Sequence, residues 1–296
     1  MASVYKSAKA QRLIQDWCRN RVDDWDVEHR RWDAMTAAGV TSVVAAGLDQ
    51  AMAPTVVLVP GTNMNGAVSL PFAEKLARRW PTLILDVPGQ PGLSATRRPR
   101  RNRMAWYGQW LTEALENTTT GPAVVVGHSL GGAIALACPS PQIAGRVLIS
   151  PAGLVRLAVG PSILAATIPW LARPTTTRTN RLLRHMLAPE HGVNAELSDW
   201  MTLVARHCHS SLAPMPLSAA TLNAAREGAP CLVAAGRDDT FLPPRRIGPA
   251  VRRRLDTELR SVAHCGHLGL DEQPDKIVAM VAEIVTRLGG EPDAGR

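Results

Sequence analysis

The sequence predicts an α/β protein with a mostly parallel central sheet, flanking helices and an inserted helical cap. Six short runs rich in β-branched residues or leucine end in glycine, proline or a polar residue, and helical stretches separate most of them. Strands that are nearly continuous apolar runs are buried on both faces, as in a parallel sheet covered by crossover helices. The interval from Ser150 to Pro230 is too long for one crossover, which predicts the insertion. The six runs are TVVLVPG, PTLILDVPG, AVVVGHS, GRVLISPAG, PCLVAAGRDD and ELRSVAHCGH.

Composition and charge are those of a globular protein. The 296 residues are 46% hydrophobic and 20% charged, with a net charge of +8. The densest basic run, Arg97 to Arg103, lacks interleaved aromatic residues, and no nucleic-acid-binding motif accompanies it. We expect a solvated loop there and no nucleic-acid partner, although such a run would also suit the phosphate of a carrier-bound substrate.

Cysteine usage and the N-terminus predict a cytoplasmic protein. Five cysteines at irregular spacings, without a CxxC pair, do not form a disulfide framework. The N-terminal residues are polar and charged where a signal peptide needs an apolar stretch. The most apolar long segment, Leu157 to Leu171, is too short to span a bilayer and is interrupted by Pro161 and Pro169, so no membrane span is expected.

Four segments organise the chain. Residues 1–30 are predicted to be an N-terminal helical extension, with a charged helix from about Tyr5 to His29. The first part of the core, residues 31–150, begins with a hairpin that turns at about Ala37 to Gly39. Residues 151–229 form the cap insertion, with helices expected around Arg181 to Leu187 and over Ala195 to Cys208, and residues 230–296 complete the core.

A serine between two glycines follows the third run, in the sequence Gly127-His-Ser-Leu-Gly131. Glycines permit a sharp turn from strand to helix, and this turn puts the Ser129 hydroxyl at a helix N-terminus, where amide hydrogens favour a developing negative charge. Ligands of open parallel sheets bind at the carboxyl ends of the strands. The remaining strand ends should therefore supply the other reacting groups.

An acid and then a base follow this serine along the chain. The run CLVAAG leads to Asp238 and Asp239, and ELRSVA leads to His264 and His267. A serine hydroxyl becomes a nucleophile when a histidine takes its proton, and the histidine needs a carboxylate to hold its tautomer. The residues thus predict a serine nucleophile with both partners, and leave two aspartates and two histidines as candidates.

From about Val56 to Ile284 the chain resembles the α/β-hydrolase family, and within it small bacterial serine esterases and cofactor-free haloperoxidases. The G-x-S-x-G sequence matches the family's nucleophile elbow, followed by acid and histidine in the family's order. GRDDTFLP looks like the acid loop, which implies Asp239 rather than Asp238. HCGHLGLDEQP looks like the histidine loop, which implies His267 rather than His264.

The resemblance also implies an oxyanion hole formed by the backbone N–H groups of Thr62 and Leu130. The chain has Pro60 where the family commonly has histidine, which leaves Thr62 and Asn63 as alternatives for the first amide. It also has Gln90-Pro91-Gly92 where His-Gly is common.

Two other histidine motifs are expected to be structural. His128 would either contact substrate or pack beneath the sheet edge, and we predict packing. The run His207-Cys208-His209 does not predict a metal site, because neighbouring residues of a helix face different directions. No cofactor and no metal are implied.

The function expected is hydrolysis of a carboxylic ester or related acyl substrate through an acyl-enzyme intermediate. Alternatives are a biosynthetic thioesterase, cyclase or perhydrolase with the same residues, and a non-catalytic ligand receptor on this scaffold. Ser129 disfavours epoxide hydrolases and dehalogenases, which use an aspartate nucleophile. The partner is a small-molecule acyl substrate, free or carrier-bound, and the oligomeric state stays open. The apolar residues of the insertion predict medium-chain or compact acyl groups, with the pocket lined by some of Leu157, Ile163, Leu164, Ile168, Trp170, Trp200 and Met201.

Overall fold

The computed structural model describes residues 1–50, 54–210 and 213–289, and within them the chain forms ten strands and eleven helices. The strands are β1 (Ala2–Ser3), β2 (His29–Thr36), β3 (Gly39–Ala46), β4 (Thr55–Val59), β5 (Thr82–Leu85), β6 (Arg97–Arg98), β7 (Ala123–His128), β8 (Ile143–Ile149), β9 (Cys231–Gly236) and β10 (Leu259–Val262). The helices are α1 (Ala8–Asp23), α2 (Gly66–Ala77), α3 (Arg103–Thr118), α4 (Leu130–Ala137), α5 (Pro161–Ala172), α6 (Thr176–Arg184), α7 (Ala195–His207), α8 (Ala219–Glu227), α9 (Pro244–Leu255), α10 (Gly269–Glu272) and α11 (Pro274–Arg287).

The central sheet has eight strands within the described ranges, in the order β10-β9-β8-β7-β4-β5-β3-β2. The six strands from β10 to β5 are parallel, while β3 runs antiparallel to β5 and β2 antiparallel to β3. The predicted α/β class and mostly parallel sheet are confirmed, and each of the six apolar runs corresponds to one of the parallel strands. Thr36 pairs with Gly39 across the predicted hairpin turn.

Apolar layers cover both faces of the sheet. Val56 and Leu58 of β4 belong to the layer on one face, whereas Val57 and Val59 belong to the layer on the other. Successive side chains of a strand point to opposite faces, so a run without polar residues supplies both layers. The sheet is therefore packed on both faces up to the carboxyl ends of its strands.

The N-terminal helix is shorter than predicted. Ser7 caps it by accepting the Ala10 N–H at 3.1 Å, and the helix ends at Asp23 instead of continuing to His29. His29 instead starts β2, where it pairs with Ala46. Pairing with β3 thus draws the last residue of the predicted helix into the sheet. The helix packs on α2 and α7.

The basic run is only partly a solvated loop. Arg97 and Arg98 form β6, which pairs with β1. The Arg98 guanidinium donates to the Gly89 carbonyl, and burial lowers its pKa. Arg100 and Arg101 are exposed, as predicted for the whole run.

Helices α5 to α8 lie between β8 and β9. The predicted helix from Arg181 to Leu187 is displaced toward the N-terminus, because the Thr175 hydroxyl caps α6 by accepting the Arg178 N–H at 3.3 Å. The apolar stretch becomes α5, which starts at Pro161 and tolerates Pro169 near its end. Through the part of the chain that the structure describes, no helix combines the length and the apolar character that crossing a membrane requires.

Candidate active site

A strained turn carries Ser129 from the end of β7 into α4. Its backbone has φ 50° and ψ −107°, a conformation that a non-glycine residue rarely adopts. The Ser129 N–H donates to the Ile149 carbonyl at 3.0 Å, and the Ser129 carbonyl accepts the Ala152 N–H at 2.9 Å. A Cβ at Gly131 would lie 1.9 Å from the Val59 carbonyl oxygen, so this position requires glycine. Backbone hydrogen bonds and the close approach of Gly131 to β4 thus hold the serine in place.

Ser129, His267 and Asp239 form a continuous hydrogen-bonded series. The Nε2 atom of His267 is 3.1 Å from Ser129 Oγ, and its Nδ1 is 2.9 Å from Asp239 Oδ2. The Asp239 side chain is fully buried, and the His267 side chain is 8% exposed. The three residues follow β7, β10 and β9, whose carboxyl ends lie at the same edge of the sheet and bring together groups that are far apart in the chain.

The other two candidate residues have different surroundings. The Nδ1 atom of His264 pairs with the Glu190 carboxylate, and 72% of the His264 side chain is exposed. Asp238 donates its backbone N–H to the Cys265 carbonyl at 2.9 Å. The structure therefore places His267, rather than His264, next to Ser129, and the Asp239 carboxylate next to His267.

The mutual charges of Asp239 and His267 favour an ionised Asp239 and a more basic His267. Burial tends to raise the pKa of Asp239, but the charge and hydrogen bond of His267 and the Leu242 backbone N–H lower it to about 2. Burial tends to lower the pKa of His267, but the charge and hydrogen bond of Asp239, helped by the charge of Glu272, raise it above its ordinary value.

On the other side of Ser129, the candidate oxyanion donors differ in availability. The Asn63 N–H donates to Gln90 Oε1 at 3.1 Å, and the Asn63 carbonyl accepts from Trp200 Nε1 at 2.7 Å. Thr62 lines the cavity next to Ser129. Leu130 is the first residue of α4, where a backbone N–H has no acceptor within the helix. The backbone hydrogen bonds of Asn63 thus favour Thr62 over Asn63 as the first donor.

Gln90 was not identified as a functional residue from the sequence. It occupies the segment where the family commonly has His-Gly, and this departure was its only signal. Its side chain is buried, with Nε2 3.4 Å from the Tyr107 hydroxyl, which in turn donates to the Pro88 carbonyl at 3.1 Å. It fixes the backbone of the neighbouring Asn63.

Glu272 is a second group that the sequence analysis missed. This buried carboxylate accepts the Ala188 N–H at 2.6 Å and the Gly266 N–H at 2.9 Å. The His267 N–H donates to the Met186 carbonyl at 2.6 Å. Glu272 therefore joins the end of the α6 segment to the loop that carries His267. Its acidic, helix-terminal position in the sequence is equally typical of a solvated residue, so no local pattern indicated this role.

Two further contacts attach the segment between β8 and β9 to the loop that carries Asp239. The Thr240 hydroxyl donates to the His185 carbonyl, and the Ala158 N–H donates to the Phe241 carbonyl at 2.8 Å. The inserted segment is consequently attached to the loop that carries Asp239 as well as to the loop that carries His267.

His128 is buried, as predicted, and also lines the cavity. Its Nε2 is 2.8 Å from the His267 carbonyl, which can only accept, so Nε2 carries the proton. Burial, and then the nearby His267, lowers the pKa of His128 to about 4. A neutral His128 thus donates a hydrogen bond that holds the backbone of His267 in place.

A cavity of about 340 Å³ adjoins Ser129 and His267, and its lining is mainly apolar. Five of the seven residues named from the sequence line it, namely Leu157, Ile163, Leu164, Trp170 and Met201. The other two do not line it. Ile168 is 61% exposed on the outer side of α5, and Trp200 is fully buried against Trp17, with ring centroids 4.7 Å apart.

The His207-Cys208-His209 run lies at the end of α7, beside the cavity. Cys208 and His209 line the cavity, and the His209 N–H donates to the Val4 carbonyl at 2.7 Å. Across the described ranges, no cluster of three or more His, Cys, Asp or Glu side chains is arranged to hold a metal ion.

Comparison with known proteins agrees with this architecture. Lipase LipV of Mycobacterium tuberculosis (strain ATCC 25618 / H37Rv) is 38% identical over 90 residues, which are 27% of this chain. The match spans only 31% of that lipase's length. Carboxylesterase CesB of Bacillus subtilis superposes with a TM-score of 0.77 at 16% identity, covering 96% of this chain and 100% of that one. Naproxen esterase of the same organism superposes with a TM-score of 0.74 at 18% identity, with the same coverages of 96% and 100%.

At such identities, the likeness to the two solved structures shows the fold alone. The sequence itself matches the Alpha/beta hydrolase family over residues 56–280. That range is most of the chain and contains Ser129, Asp239 and His267. This protein belongs to the alpha/beta hydrolase family.

Proposed function

We propose that this protein is a serine esterase, which hydrolyses a carboxylic ester or related acyl substrate through an acyl-enzyme intermediate. The observation that carries the proposal is the series from Ser129 Oγ through His267 to Asp239, at 3.1 Å and 2.9 Å, beside an apolar cavity. The names of the two superposed esterases and of the lipase with local identity support the same class of reaction.

The first half-reaction transfers the acyl group to the protein. His267 Nε2 takes the proton from Ser129 Oγ while this oxygen bonds to the substrate carbonyl carbon. The carbonyl oxygen becomes an oxyanion, which accepts hydrogen bonds from the Thr62 and Leu130 N–H groups. When the tetrahedral intermediate collapses, the ester C–O bond breaks, and His267 returns its proton to the departing alcohol oxygen.

Water completes the cycle. His267 takes a proton from a water molecule as its oxygen bonds to the acyl carbon, and then protonates Ser129 Oγ as the acid product leaves. In both halves the imidazolium is paired with Asp239, which stays ionised because its pKa is about 2. The N-terminus of α4 adds favourable electrostatics at the oxyanion.

The substrate proposal concerns the acyl side. A volume of about 340 Å³ is at the small end of ligand cavities, which run from about 300 to 1,000 Å³. Except for Thr167, the lining residues from α5 and α7 are apolar, and the additional apolar contact of a larger acyl group lowers the reaction barrier. We therefore propose residues 151–229 as a cap that selects medium-chain or compact acyl esters over acetate and long-chain lipids.

Covalent labelling and turnover test the reaction class. A fluorophosphonate should label Ser129 alone, and Ser129→Ala should lower kcat for p-nitrophenyl butyrate at least about 10⁴-fold. Ser210→Ala is the matched control, because Ser210 lines the same cavity without a hydrogen bond to His267 among the described contacts. Labelling at another residue would overturn the assignment of Ser129. Clean labelling of Ser129 without hydrolysis of any ester would contradict the esterase.

A further inference from the structure

The outer face of α5 is apolar and exposed. Leu164, Ile168 and Leu171 are 44%, 61% and 39% exposed, and their spacing of four and three residues puts them on one side of the helix. The opposite side carries the buried Ile163 and Trp170. No residue of PSILAATIPWLA is charged. A helix that is apolar all round is ordinarily enclosed, so this outer face is suited to a partner that excludes water.

The surrounding segment is strongly basic. Residues 151–189 contain five arginines and neither aspartate nor glutamate. None of the five takes part in the salt bridges found among the described residues. Arg173 directly follows α5, and the adjoining α6 carries three more. The arginines are Arg156, Arg173, Arg178, Arg181 and Arg184.

This combination selects among possible partners. A second copy of the chain would bring five uncompensated positive charges against the same five, which is unfavourable. An acidic carrier protein would match the charge, but a surface dense in carboxylates offers less apolar contact to the exposed side chains of α5 than the acyl region of a bilayer does. An anionic bilayer satisfies both, because its headgroups attract arginine and its acyl region accepts an apolar helix face.

The same face adjoins the cavity. Leu164 and Leu171, both partly exposed on α5, also line the cavity that contains Ser129 and His267. A molecule drawn from a lipid surface at α5 would therefore enter the cavity without first passing through bulk water.

We propose that the outer face of α5, with the arginines around it, docks on an anionic lipid surface. The helix lies in the plane of the interface, with Leu164, Ile168 and Leu171 among the acyl chains and the arginines at the headgroups. This property is independent of turnover and is tested by binding alone.

The experiment is co-sedimentation of the full chain, carrying Ser129→Ala to prevent hydrolysis, with extruded vesicles. The protein should co-sediment with vesicles of 30% phosphatidylglycerol in phosphatidylcholine, and much less of it with vesicles of pure phosphatidylcholine. High salt should release it from the anionic vesicles. Arg181→Ser with Arg184→Ser should weaken binding about fivefold per charge, or about 25-fold. Ile168→Ser should weaken it about tenfold through lost apolar contact.

Matched controls are available elsewhere on the surface. Met35→Ser removes a side chain that is 65% exposed on β2, and Arg253→Ser with Arg254→Ser removes two exposed charges from α9. Both controls should bind as the parent does. In a background with Ser129 intact, Ile168→Ser should hydrolyse a soluble ester normally, which shows that the fold is retained.

Several results would overturn the proposal. They are failure of the parent to bind anionic vesicles, equal binding to neutral vesicles, and equal losses in the control variants. A doubling of mass in light scattering that Ile168→Ser abolishes would assign the face to a second copy instead. Retention by an immobilised acidic acyl carrier protein, without retention by vesicles, would assign it to a protein partner.

Discussion

Replacing Asp239 by asparagine preserves the side-chain size but turns one of two acceptor oxygens into an NH₂ donor. Oδ1 accepts the Phe241 and Leu242 N–H groups, both at 2.9 Å, whereas Oδ2 faces Nδ1 of His267, also at 2.9 Å. The asparagine oxygen should stay at the Oδ1 position, because the flipped amide would lose both backbone hydrogen bonds. Its NH₂ group then faces Nδ1 of His267. The imidazole must accept there, and its proton moves to Nε2, next to Ser129.

A histidine in that tautomer cannot take the serine proton. The same change of tautomer in other serine hydrolases lowers kcat about 10⁴-fold, which corresponds to about 5 kcal/mol in activation free energy. We expect a loss of this size in kcat for p-nitrophenyl butyrate near neutral pH, with an unfolding temperature close to that of the parent. Asp238→Asn is the matched control and should change kcat by less than about threefold, because no charge next to His267 is removed. Equal losses in the two variants, or a larger loss for Asp238→Asn, would refute the reasoning.

Three further predictions address protonation, positioning and specificity. Because His267 must be neutral to accept a proton and its pKa is raised, kcat/KM should fall as the pH drops through a midpoint above 6.5, measured as a pH profile. Glu272→Gln removes a charge that raises this pKa and one acceptor for a backbone N–H, so the midpoint should move to lower pH and kcat should fall about tenfold. The exposed Glu258→Gln should do neither, and an unchanged midpoint in Glu272→Gln would contradict the role given to Glu272. Across p-nitrophenyl esters of increasing chain length, kcat/KM should rise up to about fourfold per methylene and then decline once the cavity is full. A flat profile, or a maximum at the longest chain, would contradict the cap assignment.

The sequence alone determined the main features of the fold. Apolar runs bounded by glycine and proline specify buried strands through local patterning, because a strand buried on both faces is a nearly continuous apolar run. The glycines around Ser129 likewise specify a turn that other residues could not make, since a Cβ at Gly131 would collide with the Val59 carbonyl. Family membership was also predictable, because motif order is a property of the chain itself.

The tertiary structure decided what depends on contacts between distant segments. His264 and His267 are three residues apart and equally plausible by chemistry alone, yet only His267 lies within hydrogen-bonding distance of Ser129. The Asn63 N–H donates to Gln90, which is 27 residues away in the chain. The loop that carries His267 is held by Glu272, which binds the N–H of Ala188, 84 residues away. The outward position of Ile168 could not be read from α5, because a helix that is apolar on all sides carries no local signal for which face is buried. Local patterning specifies strands and turns, whereas the partner of a buried polar group is set by packing across the whole chain.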